Sequence, residues 1–429
     1  MFGVIWAVLI IICFFLKDAR WIFALTVFSM LFQCNNFMRL DETGIGPQII
    51  TVIFALIRFL FVKSADNTKA TVRTFIRPLM FLLCVILVSY ILNDNAEGSF
   101  LRLLMLVIYF VFAIVLIRKP FLTDSVWLEK LENAVILFVI IVGLLQMLVV
   151  ANILPLRSIM TDLFYNETTS RDVQFHSKVR VALYSTFMEP SYCAAFLVGA
   201  FCLVISRTST SMKNIVLLVL ISIAIVLSQS TTAYVSLVIC IAIKLLSKTD
   251  KRLTTVFALL MVIGSLFMLL LFRDVLDTVI FSKSDTGSAR ERARWNNRAL
   301  ENFYANMVFG VGYRNSRASS LLLTLLAELG IIGTIAYIHL VFYYLKQLLF
   351  KKAFTNMAAY SFMVIGIVVC QFIAIPDLHL SPFWQATFLY AAAYTIKSPS
   401  YNYDLDKTDK PRQSIYSRNK PQVSFPEAR

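Results

Sequence analysis

Charge is scarce in this chain and unevenly signed: charged residues make up 15% of it, and Lys and Arg outnumber Asp and Glu by 40 to 25. A soluble domain carries roughly a quarter charged residues, so a surface exposed to water on all sides is excluded. Histidine is rarer still. His176, His339 and His379 are far apart in sequence and show no metal-ligand spacing, so no metal site is expected. Cys13, Cys34, Cys84, Cys193, Cys202, Cys240 and Cys370 all fall inside or beside apolar segments, which gives no disulfide framework. Alternation of apolar and polar residues is also missing, which excludes a membrane β-barrel.

What is present is apolar length. Hydrophobic residues make up 59% of the chain and the mean hydropathy is +0.76. Long runs recur, for example Phe81 to Leu92, Ala134 to Leu154, Ile215 to Leu227 and Phe257 to Phe272. A helix of about 20 residues satisfies its own backbone polar groups across a bilayer. The sequence therefore predicts an all-α integral membrane protein, a polytopic bundle of about 12–13 transmembrane helices. The first apolar run has its charges after it and no basic segment before it, so it reads as a spanning helix and not as a removable signal. Residues 1–396 form the membrane domain, and the polar, proline-bearing stretch 397–429 is expected to be a disordered cytoplasmic tail.

Lysine-bearing connectors fix the orientation. Lys63 and Lys69, Lys119 and Lys130, Lys213, Lys244 to Lys251, and Lys346 to Lys352 fall on one side, which the positive-inside rule assigns to the cytoplasm. Short acidic loops around Asp41 and Asp94 fit the outside. The same parity puts two long loops outside, about 156–187 and about 273–318, although both are basic. Their cations are almost all arginine: Arg157, Arg171 and Arg180 in the first, and Arg273, Arg290, Arg292, Arg294, Arg298, Arg314 and Arg317 in the second. Arginine presents a planar fork that suits bidentate binding of phosphate or carboxylate.

Arg290, Arg294 and Arg298 recur every four residues, so on a helix they stack on one face and repel one another unless an anion lies opposite. The neighbouring sector holds Trp295, Ala299, Phe303 and Met307, and such a helix would also lie on anionic lipid head groups. Both readings stand at this point. Gly310 and Gly312 suit a tight turn that returns the loop to the membrane. Glu328 sits within an apolar helix, where an ionisable group is either a functional candidate or a buried partner for a neighbouring helix. Arg58 lies in a similar position and either pairs within the bundle or snorkels.

The order "TGSARERARWNNRALENFYANMVFGVGYRNS" followed by "SSLLLTLLAELGIIGTIAYI" resembles the bacterial O-antigen polymerase and ligase superfamily, the Wzy-type polymerases of surface polysaccharides. The matching positions are Ser288, Arg290, Trp295, Gly310, Gly312 and the step Glu328 to Gly330. Upstream, "KVRVALYSTFMEPSYCAAFLV" looks like the family's other basic loop, with Arg180, Glu189 and Pro190, and "VLSQSTTAYVSLV" like its serine-rich helix join. Ligases of the superfamily carry a histidine at the mouth of the helix that here begins Ser319, Ser320, Leu321. Serine in that place favours the polymerase branch.

The resemblance implies a metal-independent, membrane-embedded glycosyltransferase without cofactor. It would join polyprenyl-diphosphate-linked oligosaccharide repeats at the outer face of the bacterial cytoplasmic membrane, in O-antigen, capsule or exopolysaccharide synthesis. Membrane lipids, and the chain-length regulator and flippase of the same pathway, are the implied partners; nucleic acid is not. Arg180 and Arg290 are the leading catalytic candidates, with Arg171, Arg294, Arg298 and Arg314 in support, since guanidinium groups can take up the charge of a leaving diphosphate. Glu189, just before Pro190, is the candidate base, or else a residue that merely favours a helix N-terminus. Trp295, Gly310, Gly312 and Glu328 complete the expected substrate site, and Asp285, Glu291, His176 and His379 are further outer-face groups. An O-antigen ligase and a lipid-linked oligosaccharide flippase are the alternatives.

Overall fold

The structure, a computed structural model, describes residues 2–40, 43–62, 69–93, 99–119, 121–122, 124–165, 181–207, 211–247, 255, 259, 287–350 and 355–396. The run Phe257 to Phe272 apart from Leu259, the loop residues Arg171, His176, Arg180, Arg273 and Asp285, and the tail 397–429 lie outside these described residues. Residues 1–396 form one compact unit.

The described residues form fourteen helices and one small hairpin, so the protein is an all-helical integral membrane protein. In chain order the helices are α1 (Phe2–Phe15), α2 (Arg20–Ser29), α3 (Pro47–Leu60), α4 (Lys69–Leu92), α5 (Ser99–Arg118), α6 (Ser125–Val150) and α7 (Arg157–Phe164). There follow α8 (Pro190–Ile205), α9 (Met212–Leu227), α10 (Thr231–Leu246), α11 (Gly287–Ala305), α12 (Leu321–Phe350), α13 (Thr355–Ala374) and α14 (Ser381–Tyr394). Five of them, α4, α5, α6, α12 and α13, are long and apolar enough to cross a membrane, and six more are shorter apolar helices. Strands β1 (Met38–Leu40) and β2 (Thr43–Ile45) pair antiparallel, with Arg39 opposite Gly44.

The bundle sorts its apolar surface in two directions. Helix α8 is buried at every position from Cys193 to Ile205, and α14 from Ser381 to Ala393, so both are helices surrounded by protein. Small residues bring α8 against α13: Gly199 lies under Ile367, and Gly366 under Cys202. On the periphery the apolar side chains point outward, as Ile141 and Leu144 do on α6, Val216 and Ile223 on α9, and Val238 on α10. Lipid is the solvent that such faces fit.

At the lysine-rich end, Arg207 after α8 reaches into the bundle and its Nη2 meets Glu132 Oε2 on α6 at 2.7 Å. The other Glu132 oxygen accepts a hydrogen bond from the Tyr360 hydroxyl of α13. Arg207 also donates to Asn133 and Asn214, which ties α6, α8, α9 and α13 together. Arg58 donates to the carbonyls of Leu16 and Lys17, the snorkelling alternative of the sequence reading.

Two features depart from plain helices and loops. The expected outer loop 156–187 ends in a stretch, Ala182 to Phe187, that is buried inside the protein. Its backbone is satisfied there: Leu183 N–H donates to Leu227 O (3.0 Å), Tyr184 N–H to Gln146 Oε1 (3.2 Å), and the Tyr165 hydroxyl to Ser185 O. Irregular backbone is tolerated at such depth when protein groups replace water, and a polar residue inside an apolar run, Gln146, does part of this.

The second departure is in α12, which breaks at Gly330 (φ 65°, ψ −163°). The break frees carbonyls that the Gly310–Tyr313 turn picks up, Val311 N–H donating to Ala327 O (2.9 Å) and Gly312 N–H to Glu328 O (3.1 Å), and it frees an amide of α12, Ile331 N–H, which donates to Met307 O (2.8 Å). The Ser89 hydroxyl of α4 lies within hydrogen-bonding distance of both Phe309 O and Glu328 O, at 2.8 and 3.0 Å. The two backbones touch only because both glycines lack Cβ. A methyl at Gly310 would stand 2.3 Å from the Glu328 carbonyl carbon, and one at Gly330 2.3 Å from Val308 O, each at positive φ. Gly330→Ala is therefore expected to cost about 1–3 kcal/mol in backbone strain alone, with the clash in addition. A lowered unfolding temperature and lowered abundance in the membrane would show it; wild-type values for both would contradict the account.

Candidate functional site

The glycine-held turn delivers Arg314. Its backbone is left-handed (φ 69°), a costly conformation for a side chain with Cβ and one that clusters at functional positions. The loop is pinned by its neighbours. The Glu328 carboxylate takes the backbone N–H groups of Arg314 and Ser316, so this buried acid holds the turn against the broken helix. Arg314 Nη1 stands 3.6 Å from Asp377 Oδ1, and its buried Nε has no hydrogen-bond partner among the described residues. Burial works against the guanidinium charge, but the Asp377 carboxylate, Tyr313 and Glu328 more than offset it and raise its pKa above the ordinary value.

Asp377 belongs to the short connection between α13 and α14. Gln371 Nε2 donates to Asp377 O (2.8 Å), Trp384 Nε1 to Leu378 O (3.0 Å), and His379 N–H to Asp377 Oδ1 (3.0 Å). His379 then bridges two elements: its Nε2 lies 2.7 Å from Arg102 O of α5 and its Nδ1 2.7 Å from the Tyr313 hydroxyl. A carbonyl can only accept, so Nε2 carries the hydrogen and Nδ1 accepts from tyrosine. Both ring nitrogens are thus engaged, and His379 positions the Arg314 loop against α5.

Burial pushes the His379 imidazole down to about 4, with the Arg314 charge acting in the same direction and the Asp377 carboxylate and the hydrogen bond to Arg102 O against it. Its folded pKa is below the ordinary value of 6.5, so its contribution to stability is complete above that value and is lost as pH falls towards 4. The purified protein is expected to melt at lower temperature at pH 5 than at pH 7.5, and His379→Gln to shrink that difference. Equal pH dependence in the variant would show that another group is responsible.

These groups line one cavity of about 230 Å³ at the end of the bundle opposite the lysine-rich connectors. Arg102, Arg314, Asp377 and His379 form one side, Tyr109 and Tyr192 add aromatic rings, and Gln33, Asn36 and Gln48 from the N-terminal helices and hairpin close it. Two cations, one carboxylate, three amides and two phenols make a site for an anionic group joined to something rich in hydroxyls.

Among the residues expected from sequence, Arg314 lies in the cavity, and Gly310, Gly312 and Glu328 build its support. Glu189 is the residue before α8, exposed, and accepts a hydrogen bond from Ser191 Oγ (3.2 Å); Tyr192, one turn further on, faces both Glu189 and Asp377. The Arg290, Arg294 and Arg298 side chains are exposed on α11 and do not line the cavity; Arg294 pairs with Glu291 at 3.3 Å. The opposite face of α11 docks on the 310–320 segment. Asn296 Oδ1 accepts from Ser319 N–H (2.8 Å), Asn302 donates to Ser316 Oγ (3.0 Å), and Arg317 stacks over Trp295 at 4.6 Å. Asn296 breaks the apolar sector of that helix because it caps the approach to α12.

Asp377, Arg102 and the amides of Gln33, Asn36 and Gln48 were not singled out from the sequence. The signal was faint but present. "FQCNNF" gathers three amides between apolar runs, and "IPDLHLS" is a polar break between the last two helices.

Fold and site together define a polytopic membrane protein with a polar, arginine-bearing cavity at one end of its bundle. Residues 216–338 match the family model described as O-antigen ligase, a segment that takes in α11, the Gly310–Tyr313 turn and the break at Gly330. The match spans less than a third of the chain, and over that stretch the protein is similar to the O-antigen polymerase and ligase superfamily. No curated protein sequence matches the chain.

Proposed function

We propose that the protein is a polymerase of polyprenyl-diphosphate-linked oligosaccharide repeat units, acting at the outer face of the bacterial cytoplasmic membrane in O-antigen, capsule or exopolysaccharide synthesis. The observation that carries this reading is the cavity, lined also by Tyr109 and Tyr192, in which Arg314 lies beside Asp377 with an Nε that has no partner among the described residues. A hydroxyl of the incoming lipid-linked repeat attacks the anomeric carbon of the growing chain. The new glycosidic bond forms as the bond to the carrier diphosphate breaks, and the proton of the hydroxyl passes to a carboxylate. Asp377 lines the cavity and is the favoured acceptor of that proton; Glu189 at its approach is the second choice. Arg314 meets the diphosphate as its charge grows.

Arg180 and Arg290 are the further guanidinium groups of this reading, from the two basic loops, with Arg171, Arg294 and Arg298 near them in sequence. The exposure of Arg290 supports a role in gathering the anionic carrier, not in holding its reacting phosphate. Polymerase is favoured over ligase because Ser319 and Ser320 stand where the ligases of the superfamily carry histidine.

The test replaces Asp377 by Asn, Glu189 by Gln, and Arg180 and Arg290 by Ala, singly, in the native host. Lipid-linked and surface sugars are then resolved on gels with the protein level checked. Asp377→Asn is expected to leave single repeats on the carrier and no long chains, and Arg290→Ala a milder shortening. Long chains held on the carrier and never attached to a final acceptor would identify a ligase instead.

A further inference from the structure

The cavity contains groups that the transfer step does not use. Gln33 Oε1 and Gln48 Oε1 are buried acceptors with no hydrogen-bond partner among the described residues, and both side chains line the cavity that also holds Arg314 and Arg102. A buried polar atom left unpaired costs free energy comparable to a lost hydrogen bond, and among the described residues nothing donates to this pair. A cation is a poor occupant beside two guanidinium groups. An acyl chain would leave the oxygens unpaired. A neutral, hydroxyl-rich group joined to an anion satisfies both sides of the cavity at once.

Resting on the polymerase reading above, we propose that Gln33 and Gln48 form a subsite that reads the hydroxyls of the sugar bonded directly to the carrier diphosphate, while Arg314 holds the phosphate. The volume, about 230 Å³, is below the roughly 300–1,000 Å³ of sites for drug-sized ligands. It suits one sugar ring. Tyr109 and Tyr192 supply flat apolar faces for the C–H side of the ring, as the amides supply partners for its hydroxyl side. Gln33 lies in the connection after α2 and Gln48 in the first turn of α3, both outside the segment 216–338 that matches the family model. Sugar choice is thereby separated in the chain from the arginine turn that handles the phosphate. A site that hydrogen-bonds a hydroxyl discriminates strongly against a ligand lacking it, because its own polar atoms are then left unpaired.

The test uses the full-length protein in nanodiscs and measures affinity for two lipids: undecaprenyl diphosphate without sugar, and the lipid-linked repeat extracted from a host strain lacking the chromosomal copy. Gln33→Met and Gln48→Met are each expected to weaken the sugar-bearing lipid about tenfold, the equivalent of about 1.4 kcal/mol, while leaving the sugarless diphosphate within about twofold. Retained binding of the sugarless lipid also shows that the variants are folded. Arg314→Ala is expected to weaken both lipids. Equal weakening of the two lipids by the glutamine variants, or no weakening of either, overturns the subsite and leaves the polymerase reading standing. If the wild-type protein binds neither lipid better than it binds undecaprenyl monophosphate, the polymerase reading falls and the subsite with it.

Discussion

Arg314→Ala is expected to abolish chain elongation, with a loss of about 10²–10³-fold in transfer rate, the scale seen when one oxyanion-stabilising donor is removed from an enzyme. Two glycines let the 310–313 turn lie against the broken α12, Glu328 fastens the backbone of Arg314 and Ser316, and the result is a guanidinium in a left-handed residue facing Asp377. Among the described residues nothing pairs with the buried Nε of this arginine, whose backbone is itself strained, and a bound anion would complete it. Arg314→Lys is expected to recover little, because lysine keeps the charge and loses the planar fork. Gel analysis of lipid-linked sugars in the host would show single repeats accumulating at normal protein level. Long chains at normal level in Arg314→Ala would remove this residue from the reaction.

The second large effect lies at the opposite end of the bundle. Arg207→Ala is expected to destabilise the protein by about 3–5 kcal/mol, the cost of leaving one member of a buried ion pair unpaired. The Glu132 side chain is 2% exposed, and besides Arg207 it has the Tyr360 hydroxyl as partner. Removing the guanidinium leaves that carboxylate inside the helices with one neutral donor. Asn133 and Asn214 lose a common donor as well. Thermal unfolding in detergent and abundance in the membrane would report the loss. The double variant Arg207→Met with Glu132→Met is expected to regain most of it, because no charge then remains buried. A single variant as stable as the wild type would contradict this account.

The bundle was largely legible from apolar runs, because a helix that must satisfy its own backbone in lipid announces itself by length and composition. The break in α12 was half legible. Gly310, Gly312 and Glu328 could be picked out as residues of unusual type for their surroundings, and the turn was expected. That the turn would pair with Gly330 across a broken helix depends on Ser89 of α4 and on a close approach that no spacing reveals. The burial of Ala182 to Phe187 was hidden for the same reason, since its partners, Gln146, Leu227 and Tyr165, come from three separate elements. The arginine stripe on α11 was plain in the sequence, yet the face that docks is the other one, through Asn296, Ala299 and Asn302. Asp377 escaped notice because one acid in a short connection has no pattern; only packing brings it to Arg314.

The central claim, that the cavity beside Arg314 joins lipid-linked repeats to one another, is tested most directly by reconstitution. Purified protein in vesicles would be given the lipid-linked repeat alone, with no other acceptor, and both glycan length and released polyprenyl diphosphate would be measured. The account predicts long chains with one diphosphate carrier released per new linkage, and neither product with Arg314→Ala. Absence of elongation by the wild-type protein until a different lipid acceptor is added, or elongation undiminished in Arg314→Ala, would contradict it.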